Sequence, residues 1–393
     1  MPFYKYILVG GGMTAASAAS GIREIDPDGS IAIFSAETNP PYDRPPLTKG
    51  LWSGKKQEED VFRNLDELNV ELHLEQPVER FEQSNQFIIL TSGEEHGYDR
   101  LLLATGGRPR KLPFGKDDIQ YYRTFNHYRT LREQAQPGKH IGVIGGSFIG
   151  SELAASLTAN GAQVTMIFPE NGIGGMTYPA GLSDFVTDYY REKGVEVLAG
   201  EMVDGVERRG DKKVIRTRSG RNVEVDTIVA GIGIEPNTAI ASAAGLEVDN
   251  GIIVDRYLRT SQPDVYAAGD VASFYNPALK KRMRVEHEDN AKMMGRTAGR
   301  NMAGASDEYH YLPFFYSDLF DLGYEAVGEL NPGYEVYSDW QEPFRKGVVY
   351  YLKDDRVRGV LLWNVWDQVD AARSLIEQDE PIRPEALKGR LPE

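Results

Sequence analysis

One pattern written twice constrains this chain more than any other feature. Tyr6-Ile7-Leu8-Val9 runs straight into Gly10-Gly11-Gly12-Met13-Thr14-Ala15, and about 135 residues later His140-Ile141-Gly142-Val143-Ile144 runs into Gly145-Gly146-Ser147-Phe148-Ile149-Gly150. Small residues follow each turn, through Ala16, Ala18, Ala19 and Gly21 in the first copy and from Ser151 through Ala154 and Ala155 in the second. A short apolar run bounded by glycine reads as a buried strand, and the small-residue stretch as a helix lying close to it. Each copy has a second apolar run, Ile31–Phe34 and Gln163–Phe168, with an acid just beyond it, Glu37 and Glu170. Each also has a closing run into glycine, Tyr98 to Gly107 and Val225 to Gly233, and Asp264-Val265-Tyr266-Ala267-Ala268-Gly269-Asp270 follows the second.

The spacing has a chemical meaning. In Gly10-x-Gly12-x-x-Ala15, Gly10 permits a tight turn, Gly12 lets backbone approach a pyrophosphate, and Ala15 permits close helix packing. The helix N-terminus offers N–H groups and positive potential to phosphate. Glu37 is placed to accept hydrogen bonds from ribose hydroxyls. In the second copy Gly145 and Gly150 hold the outer positions, while Ser147 takes the middle one and narrows the backbone clearance. Glu170 is the corresponding ribose acid. It repels the extra phosphate of NADP, and its neighbours Phe168 and Pro169 carry no positive charge, so NADH is the expected nicotinamide. Two such units imply two dinucleotides, and FAD with NADH is the economical pairing, because a flavin accepts two electrons as hydride and releases them singly.

Composition closes other routes. The chain has no cysteine, which excludes disulfides, thiolate zinc sites, protein-ligated [4Fe-4S] clusters and a CxxC relay. The six histidines, at positions 73, 96, 127, 140, 287 and 310, form no HExxH or close pair, so no metal is expected. The net charge of −15 argues against nucleic acid as a partner, although a local basic patch is compatible with it. No apolar run reaches eighteen residues, so no membrane span is expected. The first strand starts almost at once, which leaves no room for a secretory signal and makes a cytoplasmic location the default expectation. The segment Asn39-Pro40-Pro41-Tyr42-Asp43-Arg44-Pro45-Pro46 excludes regular helix or central strand and reads as an ordered loop or an extended segment.

The chain resembles the pyridine nucleotide-disulfide oxidoreductase superfamily, in the branch that holds apoptosis-inducing factor and the ferredoxin and rubredoxin reductases, with apoptosis-inducing factor the closest likeness. The resemblance is carried by Pro41-Tyr42-Asp43-Arg44-Pro45-Pro46-Leu47-Thr48-Lys49, Ala104-Thr105-Gly106-Gly107, Phe148-Ile149-Gly150-Ser151-Glu152-Leu153-Ala154 and Ala268-Gly269-Asp270. It continues through Val285-Glu286-His287-Glu288-Asp289-Asn290-Ala291, Ser317-Asp318-Leu319, Gly323-Tyr324-Glu325-Ala326-Val327-Gly328 and Leu361-Leu362-Trp363-Asn364. It implies an α/β protein of two Rossmann-like dinucleotide-binding domains, for FAD and NAD, with a C-terminal α+β domain. The expected boundaries are 1–112 and 231–306 for a split FAD domain, 113–230 for the inserted NAD domain and 307–393 for the tail.

The same resemblance assigns roles. Arg44 and Lys49 contact FAD, and Asp270 bonds the ribityl hydroxyls. Glu152, on the first turn of the second-copy helix, pairs with Lys49 beside the rings. Phe148 covers the flavin until nicotinamide displaces it. Tyr316 stands where relatives carry tryptophan, which leaves a smaller stacking face. Glu286 and His287 contact cofactor, and Thr105, Gly106, Ile149, Gly233 and Gly269 complete the cofactor set. The roles closest to the chemistry fall to Lys49, Phe148, Glu152 and Tyr316. The expected activity is that of an FAD-dependent NADH oxidoreductase, with hydride passing from NADH to flavin and electrons then leaving for an acceptor not named by the sequence. A small iron-sulfur protein or a quinone fits that role. The leading expectation is an apoptosis-inducing-factor-like protein. The alternatives are an NADH-dependent ferredoxin or rubredoxin reductase of an oxygenase system, and a slow redox sensor whose NADH complex controls dimerisation or partner binding. Monomer and homodimer are both compatible with the sequence.

Overall fold

The structure, a computed structural model, describes residues 1–391. It divides into two compact units. The first comprises Met1–Asp43, Glu58–Arg108 and Glu235–Pro313, and the second comprises Arg44–Gln57, Pro109–Ile234 and the chain from Phe314 onward.

The first unit is built on a seven-stranded sheet. Phe3–Val9 lies parallel to Ile31–Phe34 on one side and to Glu95–Leu103 on the other, and Val70–His73 extends the parallel set beyond Ile31–Phe34. Val265–Ala267 adds in parallel to the C-terminal half of Glu95–Leu103. Phe87–Leu90 and Val78–Glu82 complete the sheet as an antiparallel meander. Strands buried on both faces read as unbroken apolar runs, and Ile7, Leu8, Leu101, Leu102 and Leu103 are all fully buried. Helix Met13–Arg23 packs on helix Glu288–Met302 at backbone distance. A Cβ at Gly299 would stand 2.0 Å from the carbonyl oxygen of Ala18, and one at Gly295 would stand 2.4 Å from that of Thr14. These glycines of the second helix are therefore a packing requirement, and so is Gly21 of the first, where a Cβ would stand 2.2 Å from the carbonyl oxygen of Arg296.

The second unit holds a five-stranded parallel sheet in the order Glu196–Ala199, Gln163–Phe168, His140–Ile144, Thr227–Ala230, Ile119–Tyr121. A three-stranded antiparallel meander, Val203–Arg209, Lys212–Thr217 and Asn222–Val225, covers part of it. The chain from Phe314 forms an antiparallel sheet in the order Phe314–Leu319, Leu322–Gly328, Arg356–Trp363, Lys346–Lys353, Glu335–Glu342, with helix Val369–Glu377 against it. The architecture is thus the expected one, two Rossmann-like subdomains and a C-terminal α+β part.

Two helix starts are set by local backbone. The second-copy helix spans Phe148–Ala159, three residues earlier than its small-residue run, because extended Ser147 already serves as its N-cap. The tail helix starts at Val369, because Asp367 just before it has φ 61° and cannot open a right-handed helix. In the proline-rich segment Pro45–Thr48 forms a short 3-10 turn, with proline at the position where a missing N–H costs nothing.

Candidate functional site

The two glycine turns fold alike. Gly10 has φ 121° and Gly145 has φ 120°, and the N-cap residues Gly12 and Ser147 share extended backbone, φ −102°, ψ −172° and φ −100°, ψ −164°. A Cβ on Gly10 would lie 2.2 Å from the carbonyl oxygen of Ala104, and one on Gly145 would lie 2.4 Å from that of Gly231. Both positions therefore require glycine. A Cβ on Gly12 would meet nothing within 4 Å, so the backbone there is open to a ligand. Gly150 completes the second turn, where a Cβ would stand 2.1 Å from the carbonyl oxygen of Gly145. Neither N-cap caps its helix through a side chain. First-turn amides facing a phosphate are the physical requirement of a dinucleotide cradle, and both turns fit one. Ser147 fits as well, since its extended conformation is open to any residue.

In the first unit the expected residues gather at the carboxyl ends of parallel strands, where ligands bind in open α/β sheets. Gly269, with φ 77°, packs against the Thr14 hydroxyl of the first helix, where a Cβ would come within 2.2 Å of Oγ1. Ala15 is fully buried. Glu37 lies in the bend after Phe34 and accepts a 2.7 Å bond from the Tyr42 hydroxyl. Thr105 donates its hydroxyl to the carbonyl of Asn237, and the Asn237 side chain donates back to the carbonyl of Thr105. The Asn237 amide closes on the carbonyl of Gly106, which has φ 60°. Asp270 sits in the 3-10 turn Gly269–Val271, and His287 is the N-cap of helix Glu288–Met302. The sequence reading missed Arg284. Its side chain is 7% exposed, donates to the carbonyl of Asp270 at 3.1 Å and pairs with Glu286 at 2.7 Å. It fixes two of the expected residues against each other. Only its place two residues before Glu286 could have pointed to it.

In the second unit Glu152 is the focus. It lies one full turn into the helix, not at its start, and is 4% exposed. The Lys49 ammonium stands 2.7 Å from its Oε1. Ser317 donates to Oε1 at 2.7 Å and Thr48 donates to Oε2 at 2.5 Å. The Lys49 ammonium also faces the Tyr316 ring, 5.0 Å from its centre. Phe148 meets Phe315 edge-on at 5.3 Å. Arg44 donates to the carbonyl of Arg123 at 2.8 Å, so its guanidinium has a backbone anchor in this unit. Gly233 has φ 91° and its carbonyl accepts from the Arg110 amide, while Ile149 lies 38% exposed on the helix.

Two further residues were not legible in the chain. Glu325 lies directly across from Tyr316 in the strand pair, and burial pushes its carboxyl above the usual carboxylate range. Arg218 lines a cleft of about 410 Å³ with Pro169, Gly200, Glu201, Met202 and Ser219. The carbonyl of Glu170 accepts from the amide of Gly200 at the edge of that cleft. The chain neighbours of Glu170 carry no positive charge, but the fold brings Arg218 of the meander to the cleft at Pro169.

Among the described residues no cluster of histidine and carboxylate could hold a metal, and no helix is long and apolar enough to cross a membrane. Paired glycine turns of one geometry, each opening a helix at the end of a parallel strand, are the build of a protein that works with two dinucleotides. The chain belongs to the pyridine nucleotide-disulphide oxidoreductase family, whose model matches residues 4–295. Residues 332–378 match the C-terminal model of apoptosis-inducing factor, mitochondrion-associated. The chain is 34% identical to mitochondrial apoptosis-inducing factor 1 of Dictyostelium discoideum, over 95% of this chain and 78% of that one. It is 31% identical to putidaredoxin reductase of Pseudomonas putida, over 97% of this chain and 93% of that one. The crystal structure of the covalent putidaredoxin reductase–putidaredoxin complex superposes with a TM-score of 0.92 at 31% identity, covering 98% of this chain and 95% of that one. The protein binds FAD and NAD(H) and is an FAD-dependent NADH oxidoreductase that passes electrons onward.

Proposed function

We propose that this chain is an NADH-dependent reductase for a small iron-sulfur protein, of the kind that supplies electrons to an oxygenase. This differs from the leading expectation of the sequence, an apoptosis-inducing-factor-like protein, and follows its first alternative. The observation that carries it is the near-complete match, in length and in fold, to a reductase whose partner is putidaredoxin. The missing cysteine supports it, because electrons that cannot leave through a thiol pair must leave from the flavin itself.

Bound FAD supplies acceptance of two electrons as hydride and release of single electrons. The chain supplies the rest. Gly10, Gly12 and Ala15 shape the FAD turn, with Glu37 for its ribose. Arg44, Thr105, Gly106, Gly269, Asp270, Glu286 and His287 complete the FAD contacts. Gly145, Ser147, Ile149, Gly150 and Gly233 shape the NADH turn, with Glu170 holding the adenosine ribose and disfavouring a 2′-phosphate. Lys49, fixed by Glu152, would supply a positive charge to stabilise the negative charge of a reduced flavin. Phe148 and Tyr316 give the rings apolar faces. Hydride transfer demands ring positioning and no protein nucleophile.

Anaerobic stopped-flow mixing tests this reading. NADH should bleach the flavin absorbance, and a [2Fe-2S] ferredoxin mixed in next should restore it faster than a benzoquinone or dissolved oxygen does. Restoration by quinone alone would overturn the reading. The match of residues 332–378 favours a second one, a slow redox protein. Its signature would be a reduced NADH complex that outlives mixing with ferredoxin and carries a long-wavelength band.

A further inference from the structure

The Glu152 carboxylate accepts from three donors brought by two distant segments. Thr48 and Lys49 come from the proline-rich turn, and Ser317 comes from the first strand of the C-terminal sheet. Thr48 is 3% exposed and Ser317 is 1% exposed. A hydroxyl buried this far must spend its proton on a protein acceptor, and both are aimed at the same carboxylate. The turn itself is clamped to the unit through its carbonyls. That of Thr48 accepts from the Ser156 hydroxyl at 2.6 Å, and that of Leu47 accepts from the Trp52 indole at 2.8 Å and the Tyr122 hydroxyl at 2.5 Å. Ser156 lies one turn after Glu152 on the same helix.

A lysine–glutamate contact on its own is loose, because a four-carbon stem and a three-bond carboxylate both keep many rotamers. Two hydroxyls locked on the carboxylate remove that freedom from the anion, and the ammonium that rests on it is held with it. We infer that Thr48 and Ser317 are positioning residues, which fix the Lys49 ammonium through Glu152 and thereby set how readily the flavin is reduced. The inference rests on the reading of Lys49 as the cation beside the flavin. A charge held at one point stabilises developing negative charge more than the same charge averaged over several points. The alternative is that the two hydroxyls only satisfy burial, and it predicts lost stability with no change in the flavin.

The test uses the full chain with FAD bound, in four variants: Thr48→Val, Ser317→Ala, Thr48→Ser and Ser317→Thr. The readouts are the midpoint potential by equilibrium dye titration, and the limiting rate and NADH half-saturation of flavin reduction. Thr48→Val and Ser317→Ala should each make the flavin about tenfold harder to reduce, about 30 mV for a two-electron couple. Each should slow limiting reduction about tenfold and leave NADH half-saturation within about twofold. Thr48→Ser and Ser317→Thr keep a hydroxyl and should keep wild-type values. In a Lys49→Met background the two deletions should no longer move the potential, because the group they position is gone. Where Ser317→Ala loses FAD, Ser317→Cys replaces it with a weaker donor of similar shape, and an intermediate potential supports the inference. Wild-type potentials in both deletions, or equal shifts with and without Lys49, would overturn it. A wild-type flavin that NADH does not reduce would instead overturn the functional reading beneath it.

Discussion

The Lys49 ammonium lies 2.7 Å from Oε1 of Glu152, with the lysine side chain 12% and the glutamate side chain 5% exposed. A pair this buried is costly to split, because one charge is left behind in a poorly solvated place. We expect Lys49→Met to destabilise the apoprotein by about 3 kcal/mol, read as a lower urea midpoint. The Thr48 and Ser317 hydroxyls stay on the stranded carboxylate and keep the loss from being larger. Glu152→Gln should cost less, because the amide oxygen can still accept from a hydroxyl. An unchanged midpoint in Lys49→Met would mean that the pair is not formed in solution.

The helix contact in the first unit leaves no room for a methyl group. Gly299→Ala should push helix Glu288–Met302 off helix Met13–Arg23, since the new Cβ would sit 2.0 Å from the carbonyl of Ala18. The expected loss is about 1–3 kcal/mol, together with weaker retention of FAD on a desalting column. Gly304→Ala is the control at a nearby glycine. A Cβ there meets nothing within 4 Å, but φ 110° is a conformation an L residue rarely adopts, so its loss should come from local backbone strain and leave FAD retention unchanged.

We expect nicotinamide preference to turn on Glu170 and on Arg218, which lines the cleft at the neighbouring Pro169. Glu170→Ala should raise the apparent NADH dissociation constant about fivefold to tenfold, the worth of one ribose hydrogen bond, and improve NADPH. Adding Arg218→Ala should remove the NADPH gain and leave NADH where the single variant put it. Steady-state kinetics with both nucleotides check this. Equal NADPH values in the single and double variants would dismiss Arg218.

Acid should weaken the first unit through His96. The residue is 3% exposed, and its Nε2 lies 3.1 Å from Glu94 without hydrogen-bond geometry. Burial holds its imidazole below the usual histidine value, against the pull of Glu94 and Glu71, while the nearby His73 pushes the same way as burial. The unfolded chain therefore takes up a proton at about pH 6.5, before the folded one does. The stabilising contribution is complete above that pH and is lost as pH falls toward the lower, folded value. Urea unfolding at pH 7.5 and pH 5.5 should show a larger drop for the wild type than for His96→Phe. A parallel drop in both would exclude His96 as the cause.

The two cradles were legible because backbone geometry restricts sequence most where glycine is compulsory. Gly10, Gly145 and Gly150 could be read from spacing alone, and the strands Ile31–Phe34, His140–Ile144 and Gln163–Phe168 from their largely apolar runs. Thr48, Ser317 and Arg284 were not legible in the same way. A buried hydroxyl or guanidinium owes its role to a partner remote in sequence, and nothing local distinguishes it from a surface residue of the same type. Arg218 illustrates the limit most clearly. It comes from a hairpin turn of the meander, and only folding brings it to the cleft beside Pro169.

The discontinuity of the first unit has a consequence for synthesis. Helix Met13–Arg23 needs helix Glu288–Met302 as its backbone-close partner, and the strand Val265–Ala267 completes the parallel part of its sheet. Translation at about 5–20 residues per second puts roughly 15–50 s between the two helices leaving the ribosome. Throughout that interval the first glycine turn stands on a half-finished core, whereas all the strands of the inserted parallel sheet emerge before it ends. A nascent chain arrested before residue 265 should therefore expose the apolar face of helix Met13–Arg23 to chaperones, and release from them should await helix Glu288–Met302.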